Sequence, residues 1–131
     1  MAVLQRIAVA DDDQIIRQFY CKVLMRKGLN VVVIAGNGRE LVDGCRQEQP
    51  DLIICDIRMP ELDGLSALHL IAGYRPTPAI IISAHSEQEF FDHAGNEYVL
   101  AFLIKPVGMR DLDQAVTRVQ QRLQQQESWQ A

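Results

Sequence analysis

The sequence predicts a single α/β domain, a (βα)5 parallel sheet of five strands covered by helices on both faces. Three observations carry that prediction. Five short apolar runs punctuate the 131 residues, their starts lie 20 to 27 residues apart, and the stretches between them show helical spacing. Strands alternating with helices at that interval form βαβ units, whose crossovers cover a parallel sheet from both sides. The apolar runs are continuous rather than alternating, as expected of strands buried on both faces.

The first run is Ile7 to Ala10, followed by a stripe of Ile15, Ile16, Phe19, Tyr20, Val23 and Leu24 at helical spacing. Val31 to Ala35 is the second run, with Leu41, Val42 and Cys45 as the next stripe. Leu52 to Cys55 is the third, followed by Leu65, Leu68 and Ile71. After the fourth run, Ala79 to Ile82, the segment Ser86 to Ala94 has room for two turns before Gly95-Asn96 ends it, which predicts a short or irregular helix. Val99 to Ile104 is the fifth run, and Leu112, Ala115, Val116, Val119 and Leu123 make the longest stripe. Gly28, Gly44, Gly64 and Gly73, with Pro50, Pro76 and Pro78, are read as falling mostly at the joins. The Gly36-x-Gly38 pair lacks a third glycine, since Leu41 holds that place, and reads as a turn rather than a dinucleotide site. Glutamine dominates from Gln120 onward, so the folded domain is expected over 1–124 and a flexible tail over 125–131.

Composition narrows the function. Apolar residues are 48% and charged residues 23%, an ordinary globular mixture. Lys and Arg number 13 against 17 Asp and Glu, a net charge of −4, which disfavours direct nucleic-acid binding by this domain. No apolar run approaches the ~18 residues of a membrane span, and the N-terminus has no signal-peptide pattern. Cys21, Cys45 and Cys55 fit neither a disulfide framework nor a zinc site and read as small buried hydrophobes. The expected location is the reducing cytoplasm, without membrane contact.

Chemistry is sought at the carboxyl ends of the strands, where open α/β sheets bind ligands. Asp11-Asp12-Asp13 follow the first run, Asp56 the third, Ser83 the fourth and Lys105 the fifth, while only Ala35 and Gly36 follow the second. Runs one and three both deliver carboxylates, so they are placed side by side and the second on the edge, giving strand order 2-1-3-4-5. Clustered carboxylates repel unless a cation intervenes, and hard oxygen ligands with room for water suit Mg2+. A metal, a carboxylate nucleophile, a hydroxyl and a lysine converging on one point are the equipment for forming an aspartyl phosphate.

These residues carry a family resemblance over Arg6 to about Leu123. AVADDDQIIR, PDLIICDIRMPELDG, IIISA and AFLIKPV stand in the order and spacing of receiver domains of two-component response regulators, which the chain resembles. The fold implied is flavodoxin-like. The resemblance makes Asp56 the phospho-acceptor, with Asp11, Asp12, Asp56 and the backbone carbonyl of Arg58 as Mg2+ ligands. Arg17, five after Asp12, identifies Asp11 and Asp12 as the acid pair and leaves Asp13 as a helix N-cap. Ser83 and Lys105 would bond the phosphoryl oxygens, Ser83 and Phe102 would form the switch, and Lys105-Pro106 would be a cis peptide.

Such a domain is no enzyme toward an external substrate, though it catalyses its own Mg-dependent phosphorylation and dephosphorylation. Its implied donor is a histidine kinase or histidine phosphotransfer protein, docking on the first helix through Ile15, Gln18 and Phe19 with the Pro106-Val107 loop. Its implied output is the face of the fourth helix, fifth strand and last helix, where Phe90, Phe91 and Met109 would seat an output domain, a partner or, on phosphorylation, a second copy. Arg58 and His85, each two residues beyond a site residue, would flank the path of attacking water and slow hydrolysis. The usual Gly-Ala step before the fifth strand is replaced by Tyr98-Val99. SAHSEQEFFDHAGNEYVLAFLIKPV instead resembles receivers of the antiterminator subgroup, whose output is a helical RNA-binding module. Two other classes fit the residues less well. The intact set of site residues disfavours a binding module that never turns over phosphate. An Asp-nucleophile phosphatase needs a second acid where Arg58 stands.

Overall fold

A computed structural model of the chain describes residues 5–84 and 98–125. Five parallel strands, β1 (Arg6–Ala10), β2 (Asn30–Ala35), β3 (Leu52–Asp56), β4 (Ala79–Ser83) and β5 (Val99–Ile104), form one sheet in the order β2-β1-β3-β4-β5. Among the described residues the helices are α1 (Gln14–Arg26), α2 (Gly38–Glu48), α3 (Gly64–Ala72) and α4 (Met109–Gln125). The expected Ser86 to Ala94 helix lies outside the described residues.

The continuous apolar runs resolve into two alternating sets, because successive strand side chains point to opposite faces. Ile7, Val9, Leu52, Ile54, Ile80 and Ile82 pack with Tyr20, Val23 and Leu24 of α1 and Leu112, Val116 and Val119 of α4. Ala8, Ala10, Ile53, Cys55 and Ile81 pack with Leu41, Val42 and Cys45 of α2 and Ala67, Leu68 and Ile71 of α3. Helices α1 and α4 therefore share one face and α2 and α3 the other. The chain moves outward from β1 to β2, then back across to β3. The crevice at that reversal opens between β1 and β3.

Four details depart from the sequence reading. The α1 stripe is not wholly core, since Ile15 is 78% exposed and Phe19 38%. Both lie near the N-terminal end of α1, where they line a surface groove described below. Ile34 is 61% exposed, because β2 is an edge strand whose register shifts between Ile7↔Val31 and Ala8↔Val33. Gly44 lies inside α2 rather than at a join, and a Cβ there would come within 2.5 Å of Val33 Cγ1. Cys21 is only half-buried, unlike Cys45 and Cys55.

Candidate functional site

The site forms where β1, β3, β4 and β5 end. Asp11 follows β1 directly, and its backbone N–H donates to the Ala35 carbonyl at 3.1 Å, which carries the β1–β2 pairing one residue further. Its carboxylate is turned inward and wholly buried, while Asp12 is exposed. Asp13 N-caps α1, accepting from Ile15 N and Ile16 N at 2.9 and 3.2 Å, which is the role the sequence assigned it. Arg17, one turn further, donates from Nη1 to the Asp11 carbonyl at 2.8 Å and fixes the loop from the helix side.

Asp56 is the last residue of β3 and is 6% exposed. Its loop turns back at once: the Gly64 N–H donates to the Ile57 carbonyl at 2.7 Å, and a Cβ on Gly64 would sit 2.0 Å from the Asp56 carbonyl oxygen. Only glycine permits that approach. The Arg58 backbone N–H donates to the Asp56 carboxylate, and the Arg58 side chain is exposed. Ser83 closes β4 and is wholly buried, and the Lys105 N–H donates to its carbonyl at 2.8 Å. The Lys105-Pro106 peptide is cis.

Lys105 Nζ lies 3.0 Å from Asp56 Oδ2 and 2.9 Å from Asp11 Oδ2. The three groups set one another's ionisation. Burial pushes the Asp56 carboxyl up, Lys105 holds it down in part, and the Asp11 charge adds to the rise. Burial opposes the Lys105 ammonium, but its close contacts with the Asp11 and Asp56 carboxylates and their charges outweigh it and leave its pKa raised. Tyr20, buried under the same groove, is pushed up to about 12 by burial first and by the Asp11 charge second.

The donor set fits a hard divalent cation. Oxygens of Asp11, Asp12 and Asp56 lie within 4.8 Å of one another, and the buried Asp11 Oδ2 has Lys105 as an ion-pair neighbour but no well-directed hydrogen bond. One ammonium cannot balance three carboxylates, and a buried acceptor without a hydrogen bond is costly. An oxygen-preferring ion that keeps several waters meets both needs.

Of the residues singled out in the sequence, Lys105 contacts Asp11 and Asp56, Asp12 brings a carboxylate oxygen within 4.8 Å of theirs, and Ser83 sits at the neighbouring strand end. Phe102 is partly buried against the α2–α3 side of the core, paired in register with Ile81. Met109 is 48% exposed, while His85, Phe90 and Phe91 lie outside the described residues. The sequence reading missed the close-packed Gly64 and Gly38. The Asp63-Gly64 step was a turn signal but said nothing of which carbonyl the glycine must clear. A groove of about 510 Å³ adjoins the site, lined by Ile15, Phe19, Tyr20, Lys105, Pro106 and Val107 among others. No helix among the described residues is long and apolar enough to cross a membrane.

Comparison with known proteins agrees with this geometry. Residues 7–117 match the family described as response regulator receiver domain. The transcriptional regulatory protein PdtaR of Mycobacterium tuberculosis is 34% identical over 115 residues, covering 88% of this chain and 56% of PdtaR. The chain thus spans about half the length of that relative. Among solved structures, the signal receiver domain of the response regulator NarL from Mycobacterium tuberculosis superimposes with a TM-score of 0.81 at 28% identity, covering 92% of this chain and 98% of that one. CheY in a CheX-CheY-BeF3-Mg2+ complex from Borrelia burgdorferi does so with a TM-score of 0.80 at 26% identity, covering 88% of each.

Proposed function

The chain belongs to the response regulator receiver family, and on that premise we propose that Asp56 accepts a phosphoryl group from a phospho-histidine donor, with Mg2+ held by Asp11, Asp12, Asp56 and the Arg58 carbonyl. The observation that carries this reading is the three-carboxylate cluster with Lys105 bridging Asp11 and Asp56. The metal, when bound, supplies positive charge to the phosphoryl oxygens.

The chain's own residues do the rest. An Asp56 carboxylate oxygen attacks phosphorus as the donor's nitrogen–phosphorus bond breaks. The bonding pair leaves with the imidazole, which takes up a proton. Burial at 6% exposure strips water from the nucleophile, and Lys105 holds one of its oxygens in place. As the transfer proceeds, Lys105 and the Ser83 hydroxyl take the incoming phosphoryl oxygens. Hydrolysis reverses the charge flow: water attacks phosphorus in line and the carboxylate leaves. Arg58, two residues beyond the acceptor, is the position that in receivers flanks that approach, and its exposed side chain cannot accept the water's proton. It therefore slows the loss of phosphate by crowding, together with His85.

The donor docks on the groove beside Lys105. Ile15, 78% exposed, and Phe19 offer apolar contact within reach of the site, and Pro106 and Val107 form the opposite wall. Phosphorylation pulls Ser83 toward the phosphoryl group and lets Phe102 turn inward, biasing the face of β5 and α4 toward an output partner. A ligand shifts such an equilibrium only through its preference for one state. The test is incubation with acetyl phosphate: one phosphoryl mass is expected with Mg2+ and none in EDTA. Incorporation unaffected by EDTA would overturn the metal's role.

A further inference from the structure

The second strand ends without a chemical group of its own, yet its loop touches both acid-bearing loops. On the β1 side, the Ala35 carbonyl accepts from Asp11 N at 3.1 Å, and a Cβ on Gly36 would meet Arg17 Nη1 at 3.0 Å. That same Nη1 holds the Asp11 carbonyl at 2.8 Å. On the β3 side, Asn37 Nδ2 donates to Glu61 Oε2 at 3.1 Å, and a Cβ on Gly38 would sit 1.9 Å from the Leu62 carbonyl oxygen.

The loop is itself made rigid. Asn37 Oδ1 caps α2 by accepting from Glu40 N at 2.8 Å, and Glu40 Oε1 accepts from Gly36 N at 2.7 Å. The two bonds resemble a capping box, except that Glu40 takes the N–H one residue before the Asn37 cap, and together they tie Gly36 and Asn37 to the first turn of α2. The segment they hold, Glu61-Leu62, has a backbone that needs holding: Glu61 has φ 67, a left-handed conformation that a non-glycine residue keeps only when its surroundings enforce it. Glu61 and Leu62 belong to the short loop from Asp56 through Arg58 to Gly64.

We propose that the β2–α2 loop is a brace that sets the spacing between the Asp11-Asp12 pair and the Asp56-Arg58 loop, with Asn37, Gly38 and Glu61 as positioning residues for the metal site. This rests on the Mg2+ reading above. The Asn37–Glu61 bond secures the Asp56-Arg58 loop sideways, and the Gly38–Leu62 contact sets how closely it approaches β2. None of the three is among the proposed ligands.

The test uses Glu61→Ala, Glu61→Gln and Asn37→Ala in the full chain, with Mg2+ affinity read by calorimetry and amide shifts read by NMR in EDTA. Glu61→Ala should weaken Mg2+ about fivefold, what one ordinary hydrogen bond is worth when its whole effect passes to the site. Glu61→Gln, which keeps an acceptor oxygen, should restore the affinity. In the Asn37→Ala background the further change at Glu61 should have no effect on affinity, as coupled residues require. In EDTA, Glu61→Ala should shift the amides of Asp56 and Arg58 and, across the brace, those of Asp11 and Asp12. Unchanged amides at Asp56, Asp11 and Asp12 overturn the brace, whether or not Mg2+ binds. An equal loss of affinity in Glu61→Gln and Glu61→Ala also overturns it. Failure of the wild type to bind Mg2+ would instead remove the reading beneath it, while the shifts in EDTA still decide whether the loops are coupled.

Discussion

Lys105 reaches Asp56 across 49 residues of chain, its Nζ 3.0 Å from Oδ2, and the same nitrogen stands 2.9 Å from Asp11 Oδ2. One cation thus joins the ends of β1, β3 and β5. Its removal leaves two buried carboxylates facing each other, and breaking such a pair costs about 3 kcal/mol. Lys105→Met should lower the urea midpoint accordingly in EDTA, and added Mg2+ should recover part of the loss. A midpoint unchanged in EDTA would show that Lys105 contributes no stability.

Asp56 bears the opposite charge effect. Its folded pKa is raised above the unfolded value by burial first, so the charged form is disfavoured in the folded state. The group's stabilising contribution is full only at acid pH and is lost as pH rises through the raised pKa. At neutral pH, Asp56→Asn should therefore raise the thermal midpoint in EDTA while abolishing the increment that Mg2+ gives the wild type. A lower midpoint for the variant would contradict the charge argument.

Gly64→Ala should cost about 2 kcal/mol, as overpacked sites do, because the added Cβ would meet the Asp56 carbonyl oxygen at 2.0 Å. Relief requires moving the Asp56 loop, so Mg2+ affinity should fall as well. Urea unfolding and calorimetry read the two effects separately.

The thiols give a pH prediction. Burial raises Cys45 from an ordinary 9.0 to about 12, and Tyr20 goes from 10.0 to about 12. Both are neutral acids whose folded pKa lies above the unfolded one, so their contribution is present below pH 9 and lost as pH rises from there toward 12. The thermal midpoint should decline through that window. At pH 8, native protein should expose only Cys21 to a thiol reagent, with Cys45 and Cys55 reacting after unfolding.

Ile15→Glu should slow phosphoryl transfer from a histidine phosphotransfer protein about tenfold or more, as loss of an apolar anchor at an interface does. Because Ile15 is 78% exposed, folding and the acetyl phosphate reaction should be untouched. Equal loss with both donors would point away from docking.

The sequence made the strand ends legible because apolar runs and the polar residues that stop them are local signals. Asp11, Asp12, Asp56, Ser83 and Lys105 could be placed once the runs were ordered, and the carboxylates on two of them gave the order. Contacts set by close approach left no such mark. Gly38 against Leu62 and Gly64 against Asp56 depend on loops meeting in three dimensions, and a glycine in a turn reads the same whether or not it is crowded. Ile15 and Phe19 could be read from sequence either as part of the α1 stripe or as docking residues, because helical spacing shows which residues share a face, not how far the core extends along it.

The most direct test of the phospho-acceptor assignment is peptide mass mapping after acetyl phosphate and Mg2+, with and without hydroxylamine, in the wild type and in Asp56→Asn. One phosphoryl mass on the peptide holding Asp56, removed by hydroxylamine as an acyl phosphate is and absent from the variant, is the expected result. The same mass on any other residue of the wild type, or retained in Asp56→Asn, would contradict it.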